Sequence, residues 1–299
     1  MGAIKSLDLG HIPFVVKDKG AAGKSYVGVK LKSVSDVDNK EVLSEGEQRA
    51  LALACFLGEV LGDDVKHGIV VDDPVSSLDH IRIRRVAKRL VQEAATGRQV
   101  IIFTHNLLFF SEVMTAAAEN NPQVPLLTHY ISKDETKGFG IVNENDVPWV
   151  AKKVAQRIDI LRRQRLPVLK GRTDTDSDEY RRAVKDFYTD LRETWERFVE
   201  EILLAGVVER YGSDVKTQSL KGVVVKDEDY QKVYFAMKRV SERSGHDTAV
   251  AKMAHTPSFD DMQADLDELD AFRTAIDKRR KDLESERKKL EKPPAAETA

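Results

Sequence analysis

Two adjacent carboxylates, Asp72 and Asp73, follow the β-branched run Ile69-Val-Val and precede Pro74. The carboxyl end of a buried strand is where open α/β sheets place their ligands, and a hard carboxylate there suits Mg²⁺ held through water. Asp72 is therefore the candidate metal ligand, and Asp73 the candidate base or water-orienting group; a turn role before Pro74 is the plain alternative. Ser44, Glu45 and Gly46 open a helix whose free N–H groups and dipole favour phosphate, and glycine permits close backbone approach. His105 stands just after a second apolar run, Gln99–Phe103, where a satisfied core histidine is the ordinary reading. Farther on, Arg192 and Glu196 lie four residues apart and so share one helix face.

The elements that must position these groups follow from periodicity. Tyr26–Lys32 alternates as a half-buried strand, and Leu43–Leu61 is a largely buried helix with a capping box, Ser44 followed three residues later by Glu47. Gly68–Val71 and Gln99–Phe103 are strands flanking a helix at Arg84–Ala95, and strand, helix, strand implies a parallel α/β sheet. A helix at Leu107–Ala118 and strands at Pro125–Ser132 and Gly138–Asn143 complete a first domain, residues 1–147. Residues 148–292 are expected to be a mainly helical domain, with helices at Val150–Arg165 and Asp178–Leu204 and one weak strand pattern at Lys221–Lys226. Met262, Leu269, Ile276, Leu283 and Leu290 recur every seven residues, joined by Leu266 and Phe272. The intervening core positions fade to Arg273, Arg280 and Arg287, which predicts a docked surface helix, with a coiled coil as the alternative. Residues 293–299, beginning at Pro293-Pro294, are expected to be a disordered tail.

Of the 299 residues 41% are hydrophobic and 33% charged, with a formal net charge of -2, the profile of a two-domain globular chain. No apolar stretch approaches the roughly 18–20 residues of a membrane helix, and residues 1–20 lack the pattern of a signal peptide. A cytoplasmic setting without membrane contact is the expectation. The single cysteine, Cys55, excludes an intramolecular disulfide framework and a cysteine-based zinc site, and its place in the run Leu51–Leu57 predicts a buried small hydrophobe. Near-balanced charge gives no global push toward nucleic acid.

Four segments occur in order: Leu43-Ser-Glu-Gly-Glu-Gln48, Ile69-Val-Val-Asp-Asp-Pro74, Ser76-Ser-Leu-Asp79 and Thr104-His105-Asn106. Together they resemble the signature motif, Walker B, D-loop and switch histidine of the ABC-type ATPases, more closely their SMC-like branch within the AAA family. The resemblance covers roughly residues 40–110. It implies the C-terminal lobe of an ATPase that uses ATP and Mg²⁺. Asp72 would be the metal ligand, Asp73 the base and His105 the γ-phosphate sensor. Ser44, Glu45, Gly46 and Gln48 would contact ATP held on a second copy, and Asp79 would sit at the dimer seam. Most of the family has Glu where this chain has Asp73, one methylene shorter, so either the water sits closer or hydrolysis is slow. Gly23-Lys24-Ser25 looks like the end of a P-loop, but Asp18 occupies the earlier glycine position and an alternating strand pattern follows in place of a helix. The P-loop lobe is therefore expected on another segment or polypeptide.

In the second domain, Leu191–Glu209 and the later Ser244-Gly-His246-Asp247 resemble the C-terminal region of the PrrC and RloC anticodon nucleases, which carries an Arg-x3-Glu pair and a downstream histidine. The resemblance implies metal-free tRNA cleavage in phage defence, with Glu196 as base, His246 as acid and Arg192 as the cation on the phosphate. His255 competes with His246. An Arg and Glu at this spacing also form an ordinary ion pair in a charge-rich chain, and Trp195, Phe198 and Ile202 read as core. The alternative is an SMC-like, DNA-associated or regulatory ATPase whose helical domain only binds a partner or nucleic acid.

Overall fold

The β-branched runs flanking the acidic pair form strands β3 (Ile69–Asp72) and β4 (Val100–Phe103), which pair in parallel with Ile69 opposite Val100 and Asp72 opposite Phe103. A computed structural model describes residues 14–21, 24–31, 39–61, 67–134, 138–210, 212, 214–244 and 256–291. Before this pair come the antiparallel hairpin of β1 (Phe14–Ala21) and β2 (Lys24–Leu31), a short α1 (Asn39–Val42) and α2 (Glu45–Leu61). The crossover between β3 and β4 is α3 (His80–Ala95), and α4 (Leu107–Glu119) follows β4. The expected parallel βαβ unit is thus present. Ile69 and Val71 are buried in a core with Leu57, Val75, Leu90 and Phe109. The other face of the pair is bare: Val70 is 59% exposed, Ile101 40% and Phe103 48%. Parallel sheets are ordinarily covered on both faces.

Strands β5 (His129–Asp134) and β6 (Gly138–Glu144) form a second antiparallel hairpin. The chain divides into two compact units. One holds the chain up to Thr128 with Tyr211–Ser213, and the other holds His129–Arg210 and the chain from Asp214. The β5–β6 hairpin, which its place in the sequence joins to the first domain, clusters with the helical unit.

That unit contains α5 (Val154–Ile160), α6 (Leu166–Leu169), α7 (Asp178–Phe198), α8 (Asp227–Arg243) and α9 (Phe259–Arg287), with π-helical turns at Leu161–Arg165 and Val199–Leu203. Its core is aromatic. Trp195 packs edge-on against Phe198 at 5.4 Å, and Phe198 lies 5.0 Å from Phe272. The heptad residues of α9 are buried from Met262 through Leu266, Leu269 and Phe272 to Ile276, whereas Leu290 is 79% exposed. Thus α9 docks by apolar residues in its first half and by arginines in its second, and the turn after it, which carries Leu290, is exposed. The strand pattern at Lys221–Lys226 is not realised: Thr217–Gly222 is a 3-10 turn followed by an irregular stretch. Arginines of α9 claim its carbonyls instead, Arg287 those of Leu220 and Val223 and Arg279 that of Val224, leaving no ladder to extend.

Two buried charges tie the helices together. The Asp265 carboxylate accepts from the Tyr188 hydroxyl at 2.8 Å and pairs with Arg239 at 2.8 Å and with Arg243, so α9, α7 and α8 meet at one anion. Burial, followed by the nearby Asp265 charge, pushes the Tyr188 phenol far above its ordinary value. Arg157 is also buried and donates to the carbonyls of Val150, Lys152 and Glu193 while stacking 4.9 Å from the Trp149 ring. Removing one member of a buried charge network leaves its partners uncompensated. Asp265→Ala is expected to cost about 3–5 kcal/mol. Urea denaturation followed by tryptophan fluorescence measures it, and a loss below about 1 kcal/mol, the worth of an exposed pair, would contradict the assignment.

Candidate active site

The parallel ladder places the site. Asp73 N–H donates to the Phe103 carbonyl at 2.8 Å, carrying the pairing one residue past the strand end and bringing the chain after β3 beside the chain after β4. Asp73 then turns through φ +44, a left-handed conformation that Asp tolerates better than most residues. Its carboxylate is met by two hydroxyl donors and an imidazole nitrogen. Thr104 Oγ1 donates to Oδ1 at 2.9 Å, Ser76 Oγ donates to Oδ2 at 3.0 Å, and His105 Nδ1 lies 2.9 Å from Oδ2. Asp73 is 21% exposed in its side chain while His105 is 88% exposed, so the acid is held inside and the imidazole stands in solvent. Asp72 points to the bare face of the sheet and is exposed. Asp72, Asp73 and His105, predicted separately, are thereby brought to one end of the β3–β4 pair.

Thr104 and Ser76 lie inside the sequence motifs, whose pattern alone assigns neither of them a role. The Thr104 hydroxyl also accepts the Asn106 N–H at 3.0 Å, and Asn106 caps α4 by accepting the Phe109 N–H at 3.0 Å. The available signal was a hydroxyl side chain beside each catalytic candidate, Thr104 before His105 and Ser76 three residues after Asp73. Asp79 caps α3, accepting the N–H groups of Ile81 and Arg82 at 3.0 Å each, with the Arg82 guanidinium at 3.2 Å. Desolvation raises its carboxyl, but the Arg82 and Ile81 N–H groups and the Arg82 charge outweigh it and hold Asp79 below the usual carboxylate range.

The capping box at the start of α2 is present: Ser44 N–H and Oγ both donate to Glu47 Oε2, at 2.9 and 2.7 Å. Gln48 Nε2 donates to the Leu43 carbonyl at 2.8 Å, and the exposed Glu45 pairs with Arg49 at 2.9 Å. Gly46 is buried, and the close approach it allows is to the Ser77 carbonyl of the same chain: a Cβ there would lie 2.6 Å from that oxygen. Lys24 opens β2, antiparallel to β1, with Ala21 opposite Lys24. A strand therefore follows Gly23-Lys24-Ser25 where a P-loop needs a helix. Cys55 is exposed on α2 rather than buried, because the buried stripe of this helix runs through Leu51, Ala54 and Leu57 and turns Cys55 outward; partial burial still pushes its thiol above the ordinary value.

In the helical unit Arg192 and Glu196 pair at 2.8 Å on α7, and Glu196 also accepts from Arg210 at 3.0 Å. Both side chains are about a quarter exposed. Trp195, between them in sequence, is buried in the core, as its spacing predicts. His246 and His255 lie outside the described residues.

Asp79→Ala is expected to lower the stability of the first unit by about 1 kcal/mol through loss of the α3 cap, with Asp79→Asn largely retaining it. Thermal denaturation distinguishes the two, and equal losses in both variants would show that the charge, not the cap, is what α3 needs.

Residues 27–160 match the family described as an AAA domain. No curated protein matches the chain. The match takes in β3, the Asp72–Asp73 pair, the Asp79 cap, β4 and His105, and so supports an AAA-type ATPase for the segment that carries the candidate site.

Proposed function

We propose that this chain is the C-terminal lobe of an ABC/SMC-like ATPase working at a composite site in a dimer of heads, with the phosphate-binding P-loop lobe supplied by another segment or polypeptide. The observation that carries the reading is the convergence of Thr104, Ser76 and His105 on the Asp73 carboxylate, beside the exposed Asp72, at the carboxyl end of a parallel strand pair. Asp73 is the group that takes a proton from water, and Thr104 and Ser76 hold it in place. His105, reaching Asp73 from solvent, is placed to exchange that contact for a nucleotide phosphate. The bare face with Val70, Ile101 and Phe103 is consistent with a second lobe covering the sheet.

Among the described residues no three His, Cys, Asp or Glu side chains form a metal cage. That fits Mg²⁺, which takes one or two protein carboxylates and fills its shell with water and phosphate oxygens, so Asp72 suffices as the ligand from this lobe. When bound, Mg²⁺ supplies neutralisation of the phosphate charge.

For the helical unit the proposal is an RNA, specifically tRNA anticodon, nuclease gated by the ATPase in phage defence, with Arg192, Glu196 and His246 as its groups. In its favour, Glu196 is flanked by two guanidinium groups, Arg192 and Arg210, either of which a phosphate can engage. The second reading is a DNA-associated or regulatory head. In that reading the pairing of Glu196 with both arginines is a structural ion network.

The chain alone is expected neither to bind ATP tightly nor to hydrolyse it, and ATPase activity in it that survives Lys24→Ala would contradict the half-site. In the completed ATPase, Asp73→Asn keeps volume and loses the base. It is expected to retain ATP binding and to lower turnover by about 10²–10⁴-fold, the usual worth of a general base; wild-type turnover would remove the assignment.

Alanine at Arg192, Glu196 or His246 is expected to abolish tRNA cleavage and cellular toxicity while leaving ATP turnover unchanged and the chain folded. No cleavage of any RNA by the assembled, ATP-bound protein would leave the binding reading in its place.

A further inference from the structure

The turn from Asp73 to Asp79 is pinned at both ends. Val75 is buried at 1% exposure and Asp79 is locked as the cap of α3. Between these pins the Ser76 hydroxyl reaches back to the Asp73 carboxylate at 3.0 Å and to the Asp73 carbonyl at 3.2 Å, and Leu78 N–H donates to the Val75 carbonyl at 3.1 Å. The middle of the turn is held from outside by α2. Ser77 adopts φ +64, and its carbonyl oxygen sits 2.6 Å from where a Gly46 Cβ would be, with the Ser77 carbonyl carbon at 3.6 Å and Leu78 Cδ2 at 3.7 Å. The obstacle is backbone and cannot swing aside as a side chain would. A methyl group at position 46 must push the Ser77–Leu78 peptide, and with Val75 and Asp79 fixed the displacement passes back through Ser77 to the Ser76 hydroxyl. Gly58, in the same helix, has no neighbour within 4 Å of its Cβ position, so the restriction belongs to Gly46 and not to glycine in α2 generally.

We infer that Gly46 is a positioning residue for Asp73 of its own chain, acting through the backbone from Ser76 to Leu78. The start of α2, the turn after β3 and the loop after β4 then form one mechanical unit: Gly46 against Ser77, Ser76 on Asp73, Asp73 on Thr104, Thr104 on the Asn106 N–H. A ligand pressing on the first turn of α2 shifts the acid in the same lobe as well as meeting whatever lies opposite. The catalytic meaning of this coupling rests on the ATPase reading of Asp73; the coupling itself does not.

Amide NMR spectra of the nitrogen-15-labelled full chain without nucleotide test it. Gly46→Ala is expected to move the resonances of Asp73, Ser76 and Ser77 and also that of Asn106, whereas Gly58→Ala leaves all four in place. Ser76→Ala, which removes one hydroxyl and no backbone, is expected to move Asp73 and Asn106 as well. A folded Gly46→Ala or Ser76→Ala chain with Asn106 at its wild-type position overturns the inference. If Gly46→Ala fails to fold, adding Ser77→Gly should recover the fold by freeing the obstructing peptide, and failure to recover it also overturns the inference. In the assembled ATPase, Ser76→Ala is expected to lower kcat by about a hundredfold with KM for ATP unchanged, the cost of misplacing a catalytic group by about 1 Å. Unchanged kcat alongside moved resonances would remove the ATPase reading of Asp73 and leave the coupling standing.

Discussion

The hydrogen bond from Asp73 N–H to the Phe103 carbonyl, 2.8 Å long, is the contact on which the site depends. It is the last rung of the parallel pairing, and it fixes the two post-strand segments at one spacing. Thr104 and His105 then arrive beside Asp73 without any further device, because the residues that follow two paired strands must lie side by side. The buried alternation of Ile69 and Val71 sets the register, since a one-residue slip would turn both onto the bare face and move Thr104 away from the acid. Hydrophobic burial thus positions a polar cluster that contributes little to burial itself.

The turn at Asp73 has a cost as well as a use. A left-handed φ at Asp73 and another at Ser77 are conformations that most side chains avoid, and they persist because surrounding contacts determine them. Val75 in the core, Asp79 on the N–H groups of α3 and Ser77 against Gly46 are those contacts. The helical unit is held by a different principle. There, one buried carboxylate, Asp265, and one buried guanidinium, Arg157, are each satisfied several times over by groups from other elements. Charges so enclosed are poor sources of net stability but penalise any other packing strongly, so they specify which helices meet.

Helices α2, α3 and α4 were legible because their apolar patterns coincide with burial, strands β3 and β4 were legible from their β-branched runs although Val70, Ile101 and Phe103 are exposed, and the acids and His105 were legible because they fall at strand ends. What escaped was set by distant partners. Nothing near Gly46 announces that its neighbour is the Ser77 carbonyl, and the weak strand pattern at Lys221–Lys226 is overruled by Arg279 and Arg287, more than fifty residues away. Cys55 sits in an apolar run, yet helical phase, not composition, decides its exposure. Arg157 is charged and was passed over, although three carbonyls and an indole ring bury it. The Arg192–Glu196 pair was foreseen from spacing, but spacing has no means of showing that Arg210 would join it.

In the proposed ATPase a metal–nucleotide complex meets this lobe at the carboxyl end of β3 and β4. Paramagnetic relaxation by Mn²⁺·ATP tests it directly, because the broadening reports even weak and transient proximity in the isolated chain. Selective loss of amide signal is expected at Asp72, Asp73, Ser76, Thr104 and His105, abolished when Asp72 is replaced by Asn. Broadening centred elsewhere, or unchanged by Asp72→Asn, would contradict it.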